Sequence, residues 1–127
     1  MKVLLVEPDT ILAKTYTTAL ETAGHHVVRV VSAQTAVRAA DTSTPDVIVL
    51  SLGIARHNGA EFLYEFKSYP EWQPVPVVLL VPRLAFDLGD PVALRDQLGV
   101  QAVLVRSQTT LVQLCDAVLA AGEQGAP

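Results

Sequence analysis

The sequence predicts a doubly wound α/β domain, a five-stranded parallel sheet of order 2-1-3-4-5 with five helices. Three observations carry this expectation. Five short apolar runs, KVLLV at 2–6, VVRVV at 27–31, VIVL at 47–50, VVLLV at 77–81 and AVLV at 102–105, lack the polar alternation of a half-solvated strand. Such runs suit strands buried on both faces. Each is followed by a segment of helical length with an apolar stripe, so strands and helices alternate. The connections are short, and right-handed crossovers then leave the doubly wound sheet as the natural solution.

In chain order, residues 2–6 form the first strand, and Glu7-Pro8-Asp9-Thr10 is a loop in which Asp9 or Thr10 caps a helix. That helix runs to about Ala23, with Ile11, Leu12, Ala19, Leu20 and Ala23 as the buried stripe, and Gly24 stops it. Residues 26–31 are the second strand. Ser32 caps a short helix over 33–40, and Thr42-Ser43-Thr44-Pro45 is a polar turn. The stretch PDVIVLSLGIARHNG at 45–59 holds the most hydrophobic strand, which ends in one small polar residue, Ser51. A helix over 59–68 buries Phe62, Leu63 and Phe66. Residues 69–76 are a rigid connection with three prolines and the only tryptophan, Trp72. Residues 77–81 are the fourth strand, and 82–89 remain undecided. Asp90-Pro91 starts a helix that ends at Gly99. Residues 102–105 are the fifth strand. Thr110 with Gln113 makes a capping box for a last helix that buries Leu111, Leu114, Val118 and Leu119. Residues 1–121 thus read as one domain, and 122–127 as a flexible tail or the start of a linker.

Composition narrows the function. The 127 residues suffice for one domain with a real core, and half of them are hydrophobic against 17% charged, which argues against disorder. A net charge of −4, a pI near 5.2 and nine scattered Lys and Arg give no footprint for direct nucleic-acid binding. The single cysteine, Cys115, forms no internal disulfide and suits a reducing cytoplasm. The first apolar run stops at Glu7, too short for a signal segment or a membrane span. The mean hydropathy of +0.36 fits a buried parallel sheet.

In such a sheet, ligands and chemistry gather at the carboxyl ends of the strands. The first strand brings Glu7-Pro8-Asp9 there, the third Ser51, the fourth Val81-Pro82 and the fifth Arg106-Ser107. A cluster of acids at that edge would suit Mg²⁺, which takes several oxygen ligands.

The whole chain resembles a receiver domain of the two-component response regulators, the CheY-like branch of the flavodoxin-like fold. The matching stretches are VLLVEPD at 3–9, GHHV at 24–27, PDVIVLSLGIARHNGAEFL at 45–63, PVVLLVP at 76–82 and GVQAVLVRS at 99–107. They occur in the family's order and nearly its spacing. The resemblance implies an aspartyl-phosphate switch fed by a histidine kinase, with two acids for Mg²⁺, a nucleophilic Asp, a Thr or Ser and a Lys. Position by position, Glu7 matches the first acid, but Pro8 stands where the second belongs. Ser51 occupies the phospho-acceptor position, Val81 that of the hydroxyl and Arg106 that of the lysine. Ser107 replaces the usual following proline, and Val103 the aromatic switch residue.

Each change has a physical consequence. A serine hydroxyl has a pKa far above neutrality, and no base is placed to activate it. Without carboxylates at 8 and 51, Mg²⁺ keeps Glu7 and little else. Val81 has no polar atom, and Arg106 keeps a charge with a different reach from lysine. The expectation is a degenerate pseudo-receiver that lacks the phospho-acceptor, is not an enzyme and takes no cofactor or metal. Glu7, Pro8, Asp9, Ser51, Val81 and Arg106 form its altered pocket. Ser51 is read as a small filler that hydrogen-bonds backbone, with its phosphorylation as the alternative. Arg106 is read as a salt-bridge partner of Glu7 or Asp9, with binding of an anionic ligand as the alternative.

The remaining polar features have plain readings. Arg56, His57 and Asn58 look like a solvated turn. His25 and His26 are neighbours on a strand and point to opposite faces, which disfavours a shared metal. Cys115 is read as packed. Tyr69 and Trp72 with their prolines either form a partner surface or cover the adjacent helix and strand. The resemblance implies that receivers dimerise and signal through helix four, strand five and helix five. Here that face includes Ala93, Leu94, Val103 and Val105. Its charge is low, with Arg95, Asp96, Arg106 and Asp116 the main exceptions. The functional expectation is a phosphorylation-independent module of bacterial signalling that acts by contact with other signalling proteins or as a homodimer. The alternative is a receiver controlled by an anionic ligand or unusual phosphorylation near Ser51 and Arg106. A flavodoxin-like enzyme or nucleotide binder is disfavoured, because no glycine-rich phosphate loop follows the first strand.

Overall fold

A computed structural model describes residues 1–52, 59–82 and 91–125. The expected Arg56-His57-Asn58 turn, most of the undecided 82–89 stretch and the Asp90 cap lie outside the described residues. The strands are β1 (Lys2–Val6), β2 (His26–Val30), β3 (Val47–Ser51), β4 (Val77–Val81) and β5 (Val100–Val105). They form one parallel sheet in the order β2-β1-β3-β4-β5, as expected. The helices are α1 (Thr10–Thr22), α2 (Ala33–Thr42), α3 (Gly59–Lys67), α4 (Pro91–Leu98) and α5 (Leu111–Gly125).

Successive strand residues point to opposite faces, and both faces are apolar, which explains the unbroken runs. Leu4, Val6, Ile48, Leu50, Val77, Leu79 and Val81 face one layer with Ala36, Ala40, Leu63, Phe66, Trp72 and Leu98. Val3, Leu5, Val47, Val49, Val78 and Leu80 face the other, with Tyr16, Leu20, Leu114, Val118 and Ala121. The sheet is therefore covered by α2, α3 and α4 on one side and by α1 and α5 on the other.

Local signals set most boundaries. Asp9 Oδ1 accepts from Leu12 N at 2.9 Å and caps α1, and Gly24 ends it with φ 97°. Ser32 caps α2 by accepting from Thr35 N at 3.3 Å. Thr110 Oγ1 accepts from Gln113 N at 3.1 Å while Gln113 Oε1 accepts from Thr110 N at 2.8 Å, the reciprocal box expected for α5.

Several expectations are corrected. The inward stripe of α1 is Ala13, Tyr16 and Leu20, not one led by Ile11, which is 78% exposed. The spacing of three and four residues places 13, 16 and 20 together on the sheet side, and Ile11 falls on the far side of the same helix. On α5, Leu114 and Val118 are buried as expected, whereas Leu111 and Leu119 are exposed. The α2 helix runs on to Thr42, and β5 begins at Val100 rather than 102, with Gln101 as the extra residue of a bulge opposite the Val77–Val78 step of β4. Residues 122–125 of the expected tail are helical, α5 running through Gly122 to Gly125. Of the predicted α3 core, Leu63 and Phe66 are buried, and the Phe62 side chain lies outside the described residues. No described helix is long and apolar enough to cross a membrane.

Candidate functional site

The parallel register brings the carboxyl ends of β1, β3, β4 and β5 to one edge. Ser51 pairs with Leu80, and Val81 with Val105, so Ser51, Val81 and Arg106 end three neighbouring strands. Glu7 continues β1 and is tied to β2 by its N–H, which donates to Val30 O at 3.1 Å. The structure thus gathers the predicted residues at one edge of the sheet.

Their bonding differs from expectation. Ser51 is fully buried, and among the described residues its hydroxyl meets a side chain and not backbone. It accepts from Arg106 Nη2 at 2.5 Å, and the same nitrogen donates to Leu52 O at 3.0 Å. Arg106 therefore bridges β5 to the end of β3, and no ion pair joins it to Glu7 or Asp9 among the described residues. Asp9 is already engaged as the α1 cap. Glu7 is fully buried, and its Oε2 accepts from Asp9 N at 3.2 Å. Among the described residues, its Oε1 and the Nε of Arg106 are buried without a hydrogen-bond partner. Pro8 contributes no carboxylate, and Val81 presents a buried apolar surface.

Two further residues build this edge. Tyr16 is buried in α1, and helical side chains lean toward the N-terminus, which brings its hydroxyl to Arg106. Burial raises the pKa of this phenol above its ordinary value. The Arg106 cation opposes that shift through its charge and hydrogen bond, while Glu7 and Asp9 reinforce it. Arg29 of β2 donates from Nε to Glu7 O at 3.0 Å and from Nη2 to Pro8 O at 3.3 Å, pinning the loop after β1. Sequence reasoning missed both. The signals were an aromatic residue in step with Leu20 on α1, and a lone charge inside the apolar run VVRVV.

These residues do not fit Mg²⁺. A hard divalent cation takes about six oxygens in octahedral geometry. Among the described residues, Glu7 brings a carboxylate to the edge while that of Asp9 caps α1, the second acid position is a proline, and the Ser51 oxygen is held by a guanidinium. Among the described residues no group of three or more His, Cys, Asp or Glu is placed to hold a metal, His25 and His26 included.

On the expected contact face, Val103 is 44% exposed, whereas Val105 packs against the core. The side chains of Ala93 and Leu94 lie outside the described residues. Trp72 is buried and stacks on Phe66 with centroids 4.8 Å apart, and Tyr69 lies against Trp72 at 4.6 Å. The indole therefore covers the end of α3, and Tyr69 alone of the pair stays exposed. Cys115 directs its thiol to Ala19 O at 3.6 Å, and burial, then the neighbouring Asp116, pushes its pKa up, which agrees with a packed cysteine.

A family model described as "Response regulator receiver domain" matches residues 3–86. The KDP operon transcriptional regulatory protein KdpE of Escherichia coli K12 is 35% identical over 81 residues. That alignment covers 64% of this chain and 35% of KdpE, so the match spans about a third of that relative's length. A sensor protein from Polaromonas sp. JS666 superimposes with a TM-score of 0.83 at 17% identity, covering 98% of each chain. The receiver domain of a sensor histidine kinase from Pseudomonas aeruginosa PAO1, which holds a magnesium ion in its active-site cleft, gives 0.81 at 20% identity, covering 96% of this chain and 97% of that one. The chemotaxis response regulator CheY4 of Vibrio cholerae gives 0.77 at 18% identity, covering 94% and 97%. At such identities these structures speak for the shared fold, and the family match adds the lineage: the chain belongs to the response regulator receiver domain family.

Proposed function

We propose that this receiver domain is a pseudo-receiver: a non-enzymatic, cytoplasmic module of bacterial two-component signalling that works by protein contact and without phosphorylation at the usual position. One observation carries this reading. The residue that ends β3 is a buried serine whose hydroxyl is occupied by Arg106. A carboxylate is a ready nucleophile at neutral pH, whereas a serine hydroxyl needs a base. The group facing Ser51 is a guanidinium, which cannot act as one. The poor donor set for Mg²⁺ supports the same reading, because phosphoryl transfer depends on neutralising the transferring oxygens. Partners are other signalling proteins, or a second copy across α4, β5 and α5, where Val92 and Val103 are exposed. Direct binding of nucleic acid is not part of the proposal, given the acidic, scattered charge.

Incubation with acetyl phosphate and Mg²⁺, followed by intact-mass measurement, is the test. No mass gain is expected. A stable single phosphoryl adduct that disappears in Ser51→Ala overturns the reading. A second reading, control by a small anion or unusual phosphorylation near Ser51 and Arg106, is favoured by the unpartnered Nε of Arg106. It predicts a melting-temperature rise with phosphate or sulfate that is lost in Arg106→Met.

A further inference from the structure

Lys67 ends α3, and only 6% of it is exposed. Its Nζ donates to the carbonyls of Trp72 at 3.3 Å, Gln73 at 2.9 Å and Val75, all in the connection between α3 and β4. An ammonium has three N–H donors, so the cradle uses them all. The cradle is neutral. Among the residues whose side chains are described, the titratable groups on the elements packed around it are Tyr64 and Glu65 on α3, Tyr69 and Glu71 on the connection, and Arg95 and Asp96 on α4. All are exposed, and among the described residues none makes an ion pair or hydrogen bond with Lys67. Gly99, at the turn from α4 into β5, closes the other side. Its φ of 69° favours glycine, and a Cβ there would stand 3.0 Å from Nζ and 3.5 Å from Val75 O. Gly99 O accepts from Val77 N at 2.9 Å, so the cradle touches the first pairing of β4 with β5.

We propose that Lys67 is a protonation-operated latch that holds the 72–75 connection and the α4–β5 turn in one arrangement. The proposal is independent of the state of the Ser51 edge. With the ammonium present, three carbonyls are gathered on one point. When the proton passes to solvent, the neutral amine keeps two N–H groups and turns a lone pair toward the third carbonyl, which must move away. Burial lowers the pKa of this amine from its ordinary 10.5 to about 8, so the change falls close to neutral pH. The segment released carries Trp72, stacked on Phe66 at 14° between ring planes, and lies beside the exposed Tyr69. The latch thus couples the shape of this aromatic, proline-rich surface to proton concentration.

Trp72 is the only tryptophan, so its emission reports on the segment. Emission is followed from pH 6.5 to 9.5 in wild type and in Lys67→Arg, which stays charged throughout. The expected result is a one-proton transition near pH 8 in wild type and none in Lys67→Arg. Flat wild-type emission over this range, or a transition that persists in the variant, overturns the proposal. Titration of the Lys67 side-chain carbon shift by NMR needs no variant. A midpoint near pH 8 supports the latch, and one at or above pH 10 overturns it.

Discussion

Replacing Arg106 by methionine removes the cation that ties the end of β5 to the end of β3. Nη2 loses its bonds to Ser51 Oγ and Leu52 O, and the fully buried Ser51 hydroxyl loses its donor. A hydrogen bond to a charged group contributes about 1.5–3 kcal/mol. Against this, Arg106 Nε is desolvated without a partner, and methionine removes that cost. The net loss for Arg106→Met is therefore about 1–3 kcal/mol, and for Ser51→Ala about 1–2 kcal/mol. The two changes remove the same bond, so the double variant should be less destabilised than their sum, by about 1–2 kcal/mol. Urea unfolding followed by Trp72 emission measures the cycle, because the indole is buried near the opposite end of β4. The m value should stay constant across the four proteins. Additivity to within about 0.5 kcal/mol would refute the bridge as the bond that organises this edge.

Two other predictions follow from the core and from the buried amine. In the unfolded chain Lys67 titrates near 10.5, and in the fold near 8, so between these values the unfolded state binds more protons and stability rises with pH. This contribution is complete above pH 10.5 and lost as pH falls through 8. The gain from pH 7 to 9.5 is about 2 kcal/mol. Tyr16, whose pKa burial raises above 10.0, stays protonated throughout. Chemical denaturation at both pH values should show the rise in wild type and not in Lys67→Met, and an equal rise in both would contradict it. Phe66→Ala, at a fully buried site stacked on Trp72, should cost about 3–5 kcal/mol, whereas Ile11→Ala should stay within about 0.5 kcal/mol. A large loss at Ile11 would restore it to the core.

Strand order, the two-sided burial of the sheet and the caps at Asp9, Ser32 and Thr110 were legible from residues alone. All depend on patterns within a few residues: unbroken apolar runs, a short oxygen-bearing side chain before a helix, a glycine after one. The placement of Ser51, Val81 and Arg106 at one edge followed from the parallel topology those patterns imply. What was not legible depends on rotation and reach. A stripe of small and apolar residues on α1 is compatible with more than one inward face, and only packing against β1 and β3 turned Tyr16 inward and Ile11 outward. Leu111 and Leu119 failed as core residues for the same reason on α5. The partner of Arg106 was decided by distance between strand ends, which charge matching alone assigned to Glu7 or Asp9. Lys67 gave no sequence signal, because its cradle is made of backbone carbonyls, which every residue carries. Local residue pattern suffices for the scaffold and for which side chains end its strands. The tertiary structure alone decided which of them touch, because side-chain pairing at long range is set by register, helix rotation and the desolvation of charges that local periodicity does not encode.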